Sequence, residues 1–412
     1  MDLPIASVPV RVDTPSVDQK YRVHPDVLKL GLVSFLTDVS SEMIFSVFAV
    51  VFTSVAGASS ALLGLVEGFA DMSASSLDVA AGWLSDRTGR RKPYAVAGYA
   101  FSTFAKCLPL AAISTPVLAG FRIIERLGKS FRGPPRDAWL SCIAERSSRG
   151  YSFGVHKALD KAGAVLGPLA AFALLSWRGA TPATYRLLFW TAFIPAVLSV
   201  GVFGLIRERA AEPRAREPAG SMTPEFHRYL GVASLFSLGY FSVGFLLLRA
   251  YQFGFTVQSV VLLYALFNAA FVLAAPLAGK IGDRIGRAAL LTAGYLIYGA
   301  TTLGFSLATA RWQIIGLFIG YGVFFSIDEA QSKAFIADIE PSHRGTAIGI
   351  YNSVTGILYL PASVIAGLIW LKNPAAVFAI AAGISLAAAA AMTALRPKWN
   401  EKEALRCAAN RS

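Results

Sequence analysis

The chain has 412 residues, of which 55% are hydrophobic and 15% charged, and its mean hydropathy is +0.54. Soluble domains carry about 25% charged residues, so the composition excludes an ordinary soluble protein, a disordered chain, a collagen and a coiled coil. Three cysteines and four scattered histidines give no disulfide framework and no metal-ligand spacing, so we expect neither a metal site nor a cofactor.

Apolar segments recur along the whole chain at the length of about 20 residues that a membrane-crossing helix needs. In chain order they cover 28–53, 60–84, 94–113, 117–142, 151–176, 184–206, 228–250, 257–279, 288–309, 312–336, 345–371 and 374–395. The sequence therefore predicts an all-α membrane protein with twelve transmembrane helices.

Lys and Arg residues collect at alternate ends of these segments, on the side that carries Arg87, Arg149, Arg284 and the 207–216 run. The positive-inside rule makes that side cytoplasmic, so the net charge of +13 reflects membrane topology and we expect no nucleic-acid binding. We expect a multi-pass protein of the cytoplasmic (inner) membrane with both termini inside. The predicted parts are a tail at 1–27, a six-helix bundle at 28–206, a linker at 207–227, a second six-helix bundle at 228–395 and a tail at 396–412.

The two predicted bundles share a short motif after their second helices. The motif reads GWLSDRTGR from position 82 and GKIGDRIGR from position 279, 197 residues later. Glycines allow helices to approach closely, and an acid followed by Arg can lock to a neighbouring helix in one conformation and release in another. We predict a duplicated unit and a gating motif made of Gly82, Asp86, Arg87, Gly89, Arg90, Gly279, Asp283, Arg284, Gly286 and Arg287.

The 82–92 loop resembles the signature loop between the second and third helices of major facilitator superfamily (MFS) permeases. The segments DVSSEM at 38–43, GLVEG at 64–68 and ERLGKSFRGPPRDA at 125–138 resemble those of a bacterial and archaeal branch of that superfamily. The resemblance implies two pseudo-symmetric six-helix bundles, alternating access, proton coupling and no use of ATP. The seventh helix departs from this pattern, because it reads YFSV at 240–243 where small polar or acidic residues are expected.

Ionisable residues inside membrane helices are costly and usually mark ion pairs, proton relays or substrate sites. The fourth helix carries them on one stripe at Arg122, Glu125, Arg126 and Lys129. We predict that Arg122, Arg126 and Lys129, with Lys106 of the third helix, bind an anionic part of the substrate. For each of these residues taken singly, the alternative is a structural ion pair with no role in substrate binding.

Acids at similar depth are candidates for the coupling proton. The candidates are Glu125, Asp71, Glu42, Asp38 and Asp160, of which Asp71 lies on a stripe with Glu67 and Asp78. An acid beside bases can exchange a proton as a water-filled cavity opens to each side.

A second repeat, ERSSRG at 145–150 and EPSHRG at 340–345, has an offset of 195 residues. This offset places the charge stripe of the fourth helix opposite an apolar and aromatic stripe in the tenth. We predict that Tyr321 and Phe324 of that stripe, with Asn352 nearby, hold the apolar remainder of the substrate, because aromatic faces bind apolar groups.

Together these features predict a monomeric, proton-coupled secondary transporter of a small polar solute that is anionic or zwitterionic. Its predicted partners are that solute, protons and lipid. Efflux of amphiphilic compounds is the alternative, because Gly163, Gly167 and Pro168 resemble the antiporter motif of superfamily exporters. The same residues would equally suit ordinary helix packing. A non-transporting receptor or assembly factor is the alternative from another class, and no catalytic constellation favours an enzyme.

Overall fold

A computed structural model describes residues 23–143, 149–206, 222–340 and 343–409. The predicted N-terminal tail up to position 22, most of the predicted linker and residues 410–412 lie outside these ranges. The described residues form helices and no strand. The helices are α1 Pro25–Val50, α2 Ser60–Thr88, α3 Lys92–Ala105, α4 Cys107–Ala111, α5 Thr115–Ile143, α6 Arg149–Arg178, α7 Pro182–Val202, α8 Pro224–Leu238, α9 Val243–Gln252, α10 Val257–Ile285, α11 Arg287–Leu307, α12 Arg311–Ile339, α13 Arg344–Trp370 and α14 Pro374–Ala409.

Twelve membrane spans arise from these helices, as the sequence predicts. A π-helical turn, Val51–Val55, extends α1, while α3 and α4 form one span interrupted at Lys106, and α8 and α9 form another. Nine spans within the described residues are long and apolar enough to cross a membrane by composition. The other three are the second, third and fourth, where acids and bases lie inside the helices or the helix is interrupted.

Local chemistry explains where several helices begin and end. The hydroxyls of Ser59, Thr181, Thr223 and Thr256 accept a hydrogen bond from the backbone N–H three residues later, which satisfies a donor that a helix start leaves free. With Thr223 as its cap, α8 begins at Pro224, four residues before the predicted second bundle. The apolar span of α14 covers Pro374–Leu395, as predicted, and the helix continues beyond it to Ala409, because residues 401–409 are rich in Ala, Glu and Lys, which favour helix.

The outer surface is apolar, as a lipid-facing surface must be. Leu273 is 74% exposed, and Trp177 and Trp312 are each 73% exposed near the same end of the bundle. The end of the bundle at which α1 begins is called the N-terminal face. The other end, which carries Trp177 and Trp312, is called the opposite face. Tryptophan side chains are enriched at membrane–water interfaces, which fits their position at the ends of α6 and α12.

The first half (residues 25–206) meets the second half (residues 224–409) mainly through two helix pairs, α2 with α13 and α6 with α10, with smaller contacts of α1 with α9 and α10. Near the opposite face, Ser60 Oγ donates to the carbonyl of Gly367 at 3.2 Å, and Gln258 Nε2 donates to the carbonyl of Leu175 at 3.2 Å. Small residues at these crossings allow the backbones to approach closely. The halves are therefore joined toward the opposite face.

The glycines at 163 and 167 pack α6 directly on α1. A Cβ atom built on Gly163 would lie 2.4 Å from the carbonyl oxygen of Phe35, and one on Gly167 would lie 2.5 Å from that of Val39. The antiporter-like motif therefore has a packing role within the first half, which is the structural alternative that the sequence allowed.

We predict that Gly167→Ala destabilises the protein by about 1–3 kcal/mol, because the added methyl group would push against the α1 backbone. The matched control is Gly154→Ala on the same helix, where nothing lies within 4 Å of the added carbon. The control should be neutral or stabilising by up to about 1 kcal/mol, since Ala favours helix over Gly. Thermal unfolding of both variants in detergent measures the difference, and equal melting temperatures would contradict the packing role.

Candidate substrate site

A cavity of about 570 Å³ lies between the two halves near the middle of the bundle. Its wall is built by α1, α2, α5 and α6 from the first half and by the α8–α9 break, α10, α12 and α13 from the second. Charged side chains dominate the first-half wall, and aromatic and amide side chains dominate the second. A volume between about 300 and 1,000 Å³ is typical of small-molecule sites.

Two hydrogen bonds between the halves close the cavity on the side of the opposite face. Tyr264 Oη donates to Glu42 Oε2 at 2.5 Å, and Ser242 Oγ donates to Glu67 Oε2 at 2.9 Å. Toward the N-terminal face the wall is solvent-exposed, and the side chains of Asp137 and Lys157 are 53% and 52% exposed. The cavity therefore opens toward the N-terminal face.

A buried ion-pair network lies at the closed end. Arg122 holds Glu67 through Nε at 2.6 Å and Nη2 at 2.8 Å, and its Nη1 reaches Glu125 at 3.5 Å. Glu125 also accepts a hydrogen bond from Ser41 Oγ at 3.0 Å, and Lys106 Nζ donates to the same hydroxyl at 3.1 Å. Two acids and two bases thus balance one another away from water, which is how buried charges are tolerated.

Lys106, which the sequence predicts as a substrate ligand, lies in this network and is not among the residues that line the cavity. It stands at the α3–α4 break, it is 1% exposed, and Ser41 lies between it and Glu125. Its role in the structure is to balance the charge of the closed end.

The remaining bases of the first-half wall mostly have acidic partners. Arg126 Nη2 lies 2.5 Å from Asp71 Oδ1, and Arg136 lies 2.8 Å from Asp137 and 3.8 Å from Asp160. Across the cavity, Lys157 Nζ lies 3.2 Å from Glu329 Oε1 and Lys161 Nζ lies 3.8 Å from Glu329 Oε2. Arg132 donates to Ser102 Oγ at 2.6 Å and lies over the ring of Tyr99.

Lys129 differs from these bases. It is the middle residue of α5, it lines the cavity, and it forms no hydrogen bond or ion pair with any residue that the structure describes. Asp38, Glu125 and Asp160 are its charged neighbours beyond contact distance. The wall thus carries, near the middle of the bundle, a base that has no ion-pair partner among the described residues.

The aromatic side of the cavity uses residues other than the predicted ones. Tyr321 and Phe324 are both 0% exposed, and they pack with Tyr298 and Phe236 in the core of the second half. Neither lines the cavity, because successive helical positions are rotated by about 100° and Phe325 takes the place on the wall. Asn352 does line it, and so do four tyrosines of the second half, at 240, 264, 351 and 359.

The predicted proton carriers have different partners. Glu125, Asp71 and Asp160 are paired with Arg or Lys, as described above. Glu42 faces the hydroxyl of Tyr264 instead. Asp38 is 7% exposed and has no hydrogen-bond or ion-pair partner in the described ranges.

The repeated loops cap helices on the N-terminal face. Gly89 ends α2 with φ of +65° and Gly286 ends α10 with φ of +90°, a conformation that favours glycine. Arg87 stacks on Trp83, while Arg90 and Arg284 are exposed. The side chains of Asp86 and Asp283 lie outside what the structure describes.

Two of the motif residues differ in their packing. A Cβ atom on Gly82 would touch Pro134 of α5 at 3.4 Å, but nothing lies within 4 Å of one on Gly279. In the second half the close approach is made by Gly282, which packs against Gln331 of α12. Arg287 Nε lies 2.6 Å from Asp338 Oδ2, so this copy of the motif ties α11 to the end of α12.

Several residues at the site were not predicted as site residues from sequence. Glu67 was placed on the acidic stripe without a role, and Tyr264 and Ser242 were not singled out as ligands of acids. Their hydrogen bonds join residues 222 and 175 positions apart in the chain, so no local pattern could signal them. Ser242 lies in the YFSV segment that departs from the family pattern, and there it caps α9.

Comparison with known proteins agrees with this architecture. The sequence profile of the Major Facilitator Superfamily matches residues 30–248 and again residues 229–407. An uncharacterised MFS-type transporter of Methanocaldococcus jannaschii is 31% identical over 364 residues, which cover 86% of this chain and 90% of that protein.

Solved structures give the same fold. A variant of the nucleoside transporter NupG superposes with a TM-score of 0.75 at 13% identity, covering 90% of this chain and 99% of that one. A variant of the peptide transporter POT superposes with a TM-score of 0.76 at 11% identity, covering 91% and 95%. With two six-helix halves around a central cavity and a profile that matches both of them, the chain belongs to the Major Facilitator Superfamily and is a multi-pass secondary transporter of a small molecule.

Proposed function

We propose that this protein is a proton-coupled transporter of a small organic anion or zwitterion, which works as a monomer by alternating access in the cytoplasmic membrane. The observation that carries the proposal is Lys129, a base without an ion-pair partner in the described structure, on the wall of a central cavity. The Lys and Arg distribution supports a cytoplasmic N-terminal face.

The unpaired state of Lys129 favours an anionic group as its ligand. An ammonium group in a partly desolvated site is stabilised by an opposite charge, and its neighbours Arg126 and Arg136 already have carboxylates. Arg126 is 28% exposed at its side chain, so it can supply a further hydrogen bond while keeping Asp71. We therefore assign the anionic group of the solute to Lys129, with Arg126 beside it.

The apolar part of the solute then faces the second half. Phe267, Phe325 and Tyr240 line the cavity opposite the charged wall, and Asn352 offers an amide to polar substituents. Aromatic rings bind apolar surface with loose geometry, so this wall tolerates variation in the body of the solute more than Lys129 tolerates loss of its charge.

For the coupling proton we favour Glu42 and Asp38 over Glu125 and Asp71. A carboxylate that is paired with Arg is stabilised in its charged form. A carboxyl group that contacts a hydroxyl can bind and release a proton without leaving a base unpaired. Glu42 also joins the halves through Tyr264. Protonation of Glu42 would replace its charge-assisted hydrogen bond from Tyr264 with a weaker neutral one. This change would favour opening of the cavity toward the opposite face.

The repeated loops would then act at the N-terminal face. We assign to them the closing of that face when the opposite face opens, with the Arg287–Asp338 ion pair holding α11 and α12 as one body during the movement.

We predict that Lys129→Met lowers the affinity for organic anions by about tenfold to a hundredfold, which is the contribution of a hydrogen bond to a charged group. Ligand-induced thermal stabilisation of the purified protein, measured over a panel of organic anions, zwitterions and cationic drugs, gives the affinities.

The control is Lys333→Met, which removes a base from the exposed part of the cavity wall of the second half. Solvent screens that position, so the variant should change affinities by less than about threefold. An equal loss in both variants would mean that only the summed charge of the cavity matters and that Lys129 is not the anion site.

We predict that Glu42→Gln keeps substrate exchange between the two sides of the membrane but loses accumulation driven by a pH gradient. The amide can still accept the Tyr264 hydrogen bond, while it cannot carry a proton. Proteoliposomes with an imposed pH gradient measure both activities.

Tyr264→Phe provides the control, because it removes the hydroxyl and leaves the carboxyl. It should keep accumulation and change the turnover rate. If Glu42→Gln and Asp38→Asn both accumulate substrate normally, the proton is carried elsewhere, and a solute that wild-type protein concentrates without any gradient would contradict coupling itself.

A further inference from the structure

Asp328 is an acid on the cavity wall that the proposed function leaves unused. It lies on α12, it is half-buried, and its Oδ1 accepts a hydrogen bond from Ser332 Oγ at 3.0 Å. No Lys or Arg of the described chain forms an ion pair with it. Its neighbour Glu329, by contrast, is held by two lysines of the other half.

Three tyrosines line the same cavity wall of the second half as this acid. Tyr351 and Tyr359 lie two helical turns apart on one face of α13, and Tyr240 comes from the α8–α9 break. The rings of Tyr240 and Tyr359 have centroids 4.9 Å apart, and Tyr351 stacks on the buried Tyr229 at 5.9 Å. Asp328 is an electrostatic neighbour of each of these three cavity tyrosines.

A carboxylate among aromatic faces matches the chemistry of an organic ammonium group. The rings attract the cation through their π-electrons, and the acid supplies the opposite charge and a hydrogen-bond acceptor. A hard metal ion would require six or more oxygen ligands, and a group of aromatic rings around one acid does not provide them. Because Asp328 lines the cavity, a cationic group of the solute can balance its charge in place of a Lys or Arg of the protein.

We propose that Asp328, together with Tyr240, Tyr351 and Tyr359, binds an ammonium group of the solute, so that the transported molecule is a zwitterion. This inference rests on the proposed function, because it takes the anionic group to be at Lys129.

The two charged residues are placed for such a two-point contact. Lys129 is at the middle of α5 and Asp328 is three residues past the middle of α12, so they differ in depth by about 5 Å at 1.5 Å per residue. They belong to opposite halves, and both line the cavity. A zwitterion therefore contacts both halves at once, which gives it a direct effect on how the halves move.

The test uses matched compounds on three carbon skeletons: short aliphatic, long aliphatic and aromatic. Each skeleton is supplied as the amino acid, as the carboxylate without the amine and as the amine without the carboxylate. Binding to the full-length protein in detergent is measured by ligand-induced stabilisation, which depends on affinity and concentration. On at least one skeleton, the amino acid should bind wild-type protein about tenfold more tightly than either partner compound.

Asp328→Asn should abolish that preference, so that the amino acid binds no better than the carboxylate. Glu329→Gln is the matched control, since it removes the same charge one residue away and should leave the ratio between the two compounds unchanged. Tyr359→Leu should lower the ratio and Tyr359→Phe should keep it, because the ring carries the interaction. If Asp328→Asn fails to fold, the two Tyr359 variants test the ammonium site in its place.

The outcomes separate the two proposals. If carboxylates bind wild-type protein as tightly as their amino acids, or if Asp328→Asn or Tyr359→Leu keeps the preference, the ammonium site is wrong and the anion site at Lys129 stands. If no carboxylate and no amino acid stabilises the protein, both proposals are overturned.

Discussion

The closed end of the cavity depends on the buried ion pair between Arg122 and Glu67. The guanidinium holds the carboxylate through two hydrogen bonds, at 2.6 and 2.8 Å, and Glu67 is 1% exposed. Removing one member of such a pair costs about 3–5 kcal/mol, because the other is left buried without its partner. Since Glu67 also accepts a hydrogen bond from Ser242, the same pair connects α2 and α5 with the second half. The position of the cavity wall follows from this connection.

The contacts between the halves are suited to a reversible movement. Near the opposite face they include hydrogen bonds and backbones packed through small residues, as where Ser60 meets Gly367. Hydrogen bonds of this kind can break and form again as the halves move. The Lys157–Glu329 ion pair spans the cavity on the other side, where water can solvate both groups when they part. Alternating access requires both kinds of contact to break in turn.

The two halves have kept their repeated architecture and have diverged in the chemistry of their central helices. Position 129 of α5 carries a lysine on the cavity wall, and its counterpart at 324 of α12 is a phenylalanine in the core. The aromatic core around Phe324, Phe236 and Tyr298 makes the second half rigid and apolar. The first half adds buried ion pairs, such as Arg122–Glu67, to its hydrophobic packing. A solute that bridges the halves therefore meets charge on one side and mainly aromatic rings on the other.

The twelve spans, the duplication and the charged stripe of α5 could be read from the sequence because they depend on local composition and periodicity. Apolar length predicts a span wherever lipid is the solvent, and residues three and four positions apart share a helix face in any packing. This holds for Arg122 and Lys129, which lie along the predicted stripe. The same logic failed for Tyr321 and Phe324, since the repeat offset transfers a sequence position but not the rotation of a helix against its neighbours.

What the tertiary structure decided is which charges are satisfied and which are free. Lys106 and Lys129 are equally unusual in the sequence, yet one is enclosed beneath Ser41 and the other faces the cavity. Glu42 and Glu125 are both acids inside helices, and they differ in the partners that distant parts of the chain supply, which are Tyr264 for Glu42 and Ser41 for Glu125. A sequence determines which residues share a helix face. Only the packing of helices that are far apart in the chain determines whether a buried charge meets a partner, because Coulomb interactions depend on distances in space.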